Sequence, residues 1–228
     1  MPRMAERAAM PTGETVTLRG LCAVTLDDML LPRLSALVKA ALDGGAPFVQ
    51  YRNKSAPRAL RRAQAAEMLR ICRGAGAKLI INDDVWLAVE IGADGAHVGR
   101  GDAPGGSLLA AREALGPKRI LGVSCYDDLA LGEEAAKAGA DYIAFGSMFP
   151  SRTKPDTTSA PLEILGQARR FGLPVAAIGG ITLENAPQLI AAGADMLAVV
   201  SDLFDAMDIK ARAEAYQSLF AATPVRNP

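Results

Sequence analysis

From Arg19 onward, short apolar runs alternate with longer stretches in which apolar residues recur at helical spacing, the pattern of successive βα units. The apolar runs predict strands at Leu21–Thr25, Phe48–Tyr51, Leu79–Ile81, Ala96–Val98, Ile120–Val123, Tyr142–Phe145, Val175–Ile178 and Met196–Val200. The amphipathic stretches predict helices near Leu30–Asp43, Pro57–Ala75, Asp84–Gly92, Ser107–Leu115, Asp127–Ala138, Leu162–Phe171, Leu183–Ala192 and Asp205–Ala221. Eight such pairs predict an α/β fold, a single (β/α)8 TIM barrel over residues 19–228, behind a short loose extension over residues 1–18.

A weak repeat punctuates the pattern. Gly44-Gly45-Ala46, Gly92-Ala93-Asp94, Gly139-Ala140-Asp141 and Gly193-Ala194-Asp195 each close a helix and lead into the next strand. Glycine supplies the left-handed cap, and the small residues let the chain turn tightly back into the sheet. These turns fall on the amino-terminal face of a barrel, where a repeated motif serves stability. The three aspartates are accordingly read as structural.

Composition narrows the partners. At 228 residues the chain is close to the size of one barrel, and half its residues are hydrophobic, enough for a large core. Formal net charge is zero, so no global field attracts nucleic acid or an anionic membrane, and the expected partners are small molecules. Cys22, Cys72 and Cys125 are odd in number and sit in apolar surroundings, which reads as buried reduced thiols in a cytoplasmic protein. The first residues carry Arg3, Glu6 and Arg7 without a continuous apolar run, and no later run reaches membrane-spanning length. A homo-oligomer is left open by the sequence.

The predicted strand ends are where the chemistry collects. Leu79–Ile81 stops abruptly in Asn82-Asp83-Asp84, and Ala96–Val98 runs into Gly99-Arg100-Gly101-Asp102. In a parallel pair Asp83 and Asp102 emerge on one rim, just past the carboxyl ends of their strands. Two carboxylates without a further cage suit Mg²⁺, which takes one or two protein carboxylates and completes its shell with water and phosphate oxygens. On this stretch alone an equal competitor is that Asp83 caps the following helix and Asp102 sits in a solvated turn.

Arg52 and Lys54 alternate at the end of the second strand, so they lean the same way over the barrel mouth as a pair of cations for a diphosphate. Pro150-Ser151-Arg152-Thr153-Lys154-Pro155 is a hydroxyl- and cation-rich loop after the sixth strand, suited to closing over phosphate. Gly179-Gly180 after the seventh strand and Val200-Ser201 after the eighth match the barrel rule that these loops bind phosphate through backbone amides. Ser124 ends the fifth strand with no histidine near it in sequence, which argues against a nucleophilic serine. His97 is the only histidine, lies inside a strand and reads as a packed core imidazole; Trp86 reads as helix packing.

Together, Val49-Gln50-Tyr51-Arg52-Asn53-Lys54, Ile81-Asn82-Asp83, Asp94-Gly95-Ala96-His97-Val98-Gly99 with Asp102, Gly122-Val123-Ser124, Ala140-Asp141-Tyr142 through Lys154, and Ala177-Ile178-Gly179-Gly180-Ile181-Thr182 with Asn185 resemble the thiamine phosphate synthase family from about Leu21 to Leu203. The resemblance implies a transferase joining hydroxymethylpyrimidine diphosphate to thiazole phosphate, with thiamine phosphate and diphosphate as products. It implies that Gln50, Arg52, Lys54, Asn82, Ser124 and Lys154 contact the pyrimidine diphosphate, with Tyr51 and Asn53 counted in the same site. Lys154, Ser124 and Arg52 form the implied catalytic set, and Asp83 and Asp102 hold one Mg²⁺. Ser151, Arg152, Thr153, Gly179, Gly180, Val200 and Ser201 line the implied thiazole phosphate site. The implied mechanism is dissociative: diphosphate leaves first, and the thiazole nitrogen captures a pyrimidine-methyl cation.

Asn53, Ser151 and Arg152 depart from the usual pattern, where an acidic residue, a threonine, and a small or acidic residue are common. The related thiazole tautomerase branch relies on a histidine just after the fifth strand, where this chain has Ser124-Cys125-Tyr126. A catalytically silent barrel that binds thiamine phosphate is the third alternative.

Overall fold

The structure is a computed structural model and describes residues 17–150 and 159–223. Its strands are β1 (Gly20–Val24), β2 (Phe48–Tyr51), β3 (Lys78–Asn82), β4 (Gly95–Val98), β5 (Ile120–Tyr126), β6 (Tyr142–Phe145), β7 (Val175–Ile178) and β8 (Met196–Val199). They pair in chain order, all in parallel, and β8 closes on β1, so the TIM barrel expected from the pattern is the fold. The helices are α1 (Leu31–Asp43), α2 (Arg58–Gly74), α3 (Val85–Ile91), α4 (Leu108–Leu115), α5 (Leu129–Lys137), α6 (Glu163–Ala168), α7 (Ala186–Ala192), α8 (Ser201–Phe204) and α9 (Ile209–Ala221).

Strand periodicity divides the core in two. Alternate residues, among them Cys22, Val24, Phe48, Ile80, Tyr142 and Met196, fill the barrel interior. Their neighbours, such as Leu21, Val49, Leu79, Leu121 and Leu197, pack outward against Leu34, Val38, Met68, Leu165 and other helix residues. Leu18, assigned to the loose extension by the sequence, packs against the interior cluster; most of that extension lies outside the described residues.

The repeated aspartates have a defined task. The Asp94 N–H donates to Leu79 O at 3.1 Å, and the Leu79 N–H donates back to Asp94 Oδ2 at 2.9 Å. Asp141 makes the same two-point clamp on Leu121, at 2.8 and 2.8 Å, and Asp195 on Val175, at 2.7 and 2.9 Å. β4, β6 and β8 are thus each stapled to the odd strand before them. Lys78, Arg112 and Arg169 neutralise the three carboxylates in turn. At the fourth equivalent place the chain has Pro47, and Gln217 Oε1 from α9 accepts the Leu21 N–H instead, at 2.8 Å.

Three boundaries differ from the pattern for local reasons. The seventh helix starts at Ala186 rather than Leu183, because Asn185 accepts from the Thr182 N–H and donates to Gly180 O, at 2.9 Å each, and so ties off the preceding loop. The last helix starts at Ile209, where Asp208 caps the Ala211 N–H at 2.9 Å, and the separate turn α8 precedes it. β5 runs on to Tyr126 through a register shift between Ser124 and Tyr126, a bulge of the kind that re-aims side chains beside active sites.

Candidate active site

At the end of β2, Thr25 bridges β1 to Arg52. Its hydroxyl donates to Arg52 O and accepts the Arg52 N–H, at 2.8 Å each. Asp27 Oδ1 accepts from the Arg52 guanidinium at 2.9 Å and from the Lys54 N–H at 3.1 Å. The Lys54 ammonium reaches Asp83 Oδ2 at 3.1 Å. Arg52, Lys54, Asn82 and Asp83, together with Tyr51, Asn53 and Arg61, line one cleft of about 40 Å³ between the ends of β2 and β3. Arg52 and Lys54 are both partly exposed, and such ion pairs contribute little net stability, so a polyanion can draw them away from Asp27 and Asp83.

Tyr51 and Asn53 line the same cleft and are also tied to α2 and the turn before it. Tyr51 faces α2, where its hydroxyl donates to Gln64 Oε1 at 2.8 Å. The Asn53 amide donates to Asp28 O at 2.7 Å and to Gln64 at 3.0 Å, and accepts from Ser55 Oγ and the Ala56 N–H. Both are buried, and their polar atoms hold the turn that carries Arg52 and Lys54. Strand parity could have revealed this, because Gln50 and Arg52 lie on one face and Tyr51 and Asn53 on the other.

On β3, Asp83 is in the left-handed region at φ 61°, with its N–H donating to His97 O of β4 at 2.8 Å. Few non-glycine residues adopt this conformation, although aspartate does so more readily than most. Here it turns the carboxylate off the strand line toward Asp102. Asp84, not Asp83, caps α3, accepting the Leu87 N–H at 2.9 Å, whereas Asp102 does sit in an exposed turn, as that half of the competing reading had it. The Asp102 carboxyl is pushed above its usual range by partial burial and then by the Asp83 carboxylate, which is close enough to hydrogen-bond it. A Cβ at Gly99 would lie 2.8 Å from Asp102 Oδ2 and 2.9 Å from the Tyr126 hydroxyl, so glycine lets both lean over the end of β4.

Two mutually repelling carboxylates at a barrel mouth, with an ammonium drawn onto one of them, fit a hard divalent cation. The oxygen-only donor set suits Mg²⁺. Among the described residues no cluster of three or more metal-ligating side chains occurs, so a cation held by this pair would take most of its shell from water and ligand oxygens.

Below the mouth, a layer of inward-facing residues contains Gln50, Asn82, His97 and Ser124. His97 Nε2 lies 2.8 Å from Ser124 Oγ and Nδ1 lies 2.9 Å from the Tyr142 hydroxyl. The fold thus supplies Ser124 with a histidine that the local sequence lacks. Burial pushes the His97 imidazole down to about 4, so it is neutral near pH 7. Tyr142, on β6, is buried and its phenol pushed well above its usual value, chiefly by burial. Neither residue stood out in the sequence as part of a site. Arg61 was also missed; it projects from α2 into the cleft with a buried Nε that has no hydrogen-bond partner.

Gly179 and Gly180 follow β7 at φ 99° and 61°. A Cβ at Gly180 would lie 2.6 Å from the carbonyl oxygens of both Phe149 and Pro150, so this glycine also lets the β6 connection pass close by. Val200 leads directly into α8, whose first residue is Ser201. Ser151, Arg152, Thr153 and Lys154 lie outside the described residues. A larger groove of about 400 Å³ lies between α4 and α5 on the barrel flank, away from these groups.

Residues 21–203 match the family model described as thiamine monophosphate synthase. The chain belongs to that family. The thiamine-phosphate synthase of Aromatoleum aromaticum is 52% identical over 206 residues, covering 90% of this chain and 98% of that one. That of Methylobacillus flagellatus is 49% identical over 203 residues, covering 89% and 96%. The solved thiamine phosphate pyrophosphorylase of Pyrococcus furiosus superposes with a TM-score of 0.79 at 32% identity, covering 90% of this chain and 96% of that one. As a member of the thiamine monophosphate synthase family, the chain is a transferase. Among the described residues no helix is long and apolar enough to cross a membrane, and the three cysteines are free and buried.

Proposed function

We propose that the enzyme condenses hydroxymethylpyrimidine diphosphate with thiazole phosphate to give thiamine phosphate and diphosphate, with Mg²⁺ as cofactor, in the reducing cytoplasm. The observation that carries the reading is the shared cleft of Arg52, Lys54, Asn82 and Asp83 beside Asp102, in a barrel of this family. In this reading Arg52, Lys54 and Lys154 hold the diphosphate, while Gln50, Asn82 and Ser124 hold and orient the pyrimidine end. Asp83 and Asp102 would hold Mg²⁺, which when bound neutralises negative charge on the diphosphate. The thiazole phosphate would lie between the loops after β7 and β8, against Gly179, Gly180, Val200 and Ser201, with Ser151, Arg152 and Thr153 opposite.

The chemistry matches the residue types at the mouth. The carbon–oxygen bond to diphosphate breaks with its electron pair going to oxygen, and the pyrimidine-methyl cation is captured by the thiazole nitrogen lone pair. The new carbon–nitrogen bond leaves the positive charge on the thiazolium ring. No proton has to be transferred, so neither a general base nor a protein nucleophile is required. Cations aimed at the leaving group act where charge builds up and stabilise the transition state more than the ground state.

The test is to mix the two substrates with enzyme and Mg²⁺. Equimolar thiamine phosphate and diphosphate are expected. Absence of diphosphate release, with intact binding of either substrate, would refute the reading in favour of a binding barrel.

A further inference from the structure

Two non-glycine residues among those described have a left-handed backbone, and both stand on the carboxyl-end rim: Asp83 at φ 61° and Tyr126 at φ 53°. Aspartate tolerates this conformation, but for a bulky aromatic residue it is an outlier that the surrounding structure has to impose. The means are visible. The pairing of β5 with β6 shifts register between Ser124 and Tyr126, Tyr126 pairs with Phe145 beyond the shift, and the Tyr126 carbonyl accepts the Gly146 N–H at 2.9 Å. A glycine at this position would take the conformation freely. The chain instead places a large aromatic residue there and leaves it 53% exposed, so burial does not account for it.

We infer that Tyr126 is a further ligand-binding residue of the mouth, its hydroxyl donating a hydrogen bond to an oxygen of the Mg²⁺-bound diphosphate. Gly99, at the end of β4, shows where that hydroxyl lies. A Cβ there would be 2.9 Å from Tyr126 Oη and 2.8 Å from Asp102 Oδ2, so the two oxygens flank one point above the strand end. The phenol therefore reaches from β5 across to the Asp102 turn rather than out along its own strand. Among the described residues its hydroxyl has no hydrogen-bond partner. Asp83 follows β3, Asp102 follows β4 and Tyr126 ends β5, three consecutive strands of the closed barrel.

This inference rests on the reading of Asp83 and Asp102 as the Mg²⁺ ligands. Carboxylates suit the cation, but they can only accept hydrogen bonds, so diphosphate oxygens completing the cation's shell come to lie beside acceptors. A hydroxyl next to Asp102 puts a donor among them. A strained residue whose side chain is half exposed, whose ring is not needed in the core and whose hydroxyl is unused by the protein is what a residue retained for its ligand looks like. The same contact accounts for Gly99, because any side chain there would separate the donor from the carboxylate.

Calorimetric titration of inorganic diphosphate in the presence of Mg²⁺ tests the contact without relying on turnover. Tyr126→Phe keeps the ring and removes one oxygen. It is expected to weaken diphosphate binding about 5- to 30-fold, the loss of one hydrogen bond to a charged group, while melting at the wild-type temperature. An unchanged affinity overturns the inference. Tyr126→Gly relieves the backbone and should lose at least as much affinity while melting at or above the wild-type temperature. A drop in melting temperature with undiminished affinity would show that the tyrosine serves the fold alone and would overturn the inference as well. The two readings fail differently. If wild-type protein bound diphosphate no better with Mg²⁺ than without it, the metal reading would fall and this inference with it; a wild-type gain that survives intact in Tyr126→Phe would remove Tyr126 alone.

Discussion

Buried neutral His97 makes acid stability a sharp probe of the interior. An ordinary imidazole titrates near 6.5 and the buried one near about 4, so between these values the unfolded chain binds a proton that the native state refuses. The folded value is depressed, so His97's contribution is fully present above about pH 6.5 and is lost as the pH falls toward about 4. At about 1.36 kcal/mol per pKa unit, the full loss is about 3 kcal/mol, and linkage gives about 2.5 kcal/mol of it by about pH 4.5. That is a large share of the roughly 5–15 kcal/mol that holds a typical domain together. Urea unfolding of the wild type and His97→Gln, at neutral pH and near pH 4.5, separates this effect from carboxylates common to both. The variant is expected to start less stable but to lose about 2.5 kcal/mol less on acidification. Equal losses in the two proteins would refute the assignment of a buried neutral imidazole.

The remaining predictions address the staple, the loops and the cleft. Asp141→Ala leaves the Leu121 N–H without its side-chain acceptor and should cost about 1–3 kcal/mol in urea unfolding, with kcat unchanged, since the clamp lies at the opposite end of the barrel from the mouth. No loss of stability would show that the clamp is ornamental. Gly180→Val must push aside the Phe149 and Pro150 carbonyls, so it is expected to weaken both substrates and lower the melting temperature. Selective loss of thiazole phosphate with an unchanged melting curve would contradict that packing role. Arg61→Met should weaken inorganic diphosphate binding about 3- to 10-fold at nearly constant stability, because the lost Nε donates to nothing in the protein. An unchanged Kd would remove Arg61 from the anion site.

The barrel and its outward chemistry were legible because both follow from one-dimensional rules. Apolar runs set the strands, glycine closes the helices, and whatever polar residue ends a parallel strand must emerge at the mouth; Arg52, Lys54, Asp83 and Asp102 all followed from that. The buried contacts behind Ser124 were not legible, because His97, Tyr142 and Ser124 come from three different strands and meet only when the barrel closes and the inward parity of each strand is known. The bonds that tie Tyr51 and Asn53 to α2 were not legible for the same reason. Adjacency to Arg52 and Lys54 in sequence means opposite faces in a strand, and their burial depends on Gln64 from α2, which no local pattern announces. The structural role of the Gly-Ala-Asp turns could be read from position alone, whereas their clamp on the preceding strand could not.

The central claim is that Asp83 and Asp102 bind a metal that in turn binds diphosphate. Calorimetric titration of inorganic diphosphate with and without Mg²⁺ tests it directly. Wild-type protein is expected to bind diphosphate much more tightly with Mg²⁺ present. Asp83→Asn and Asp102→Asn should each reduce that Mg²⁺-dependent gain by more than about 10-fold while melting near the wild-type temperature. An undiminished Mg²⁺ effect in both variants would contradict the account.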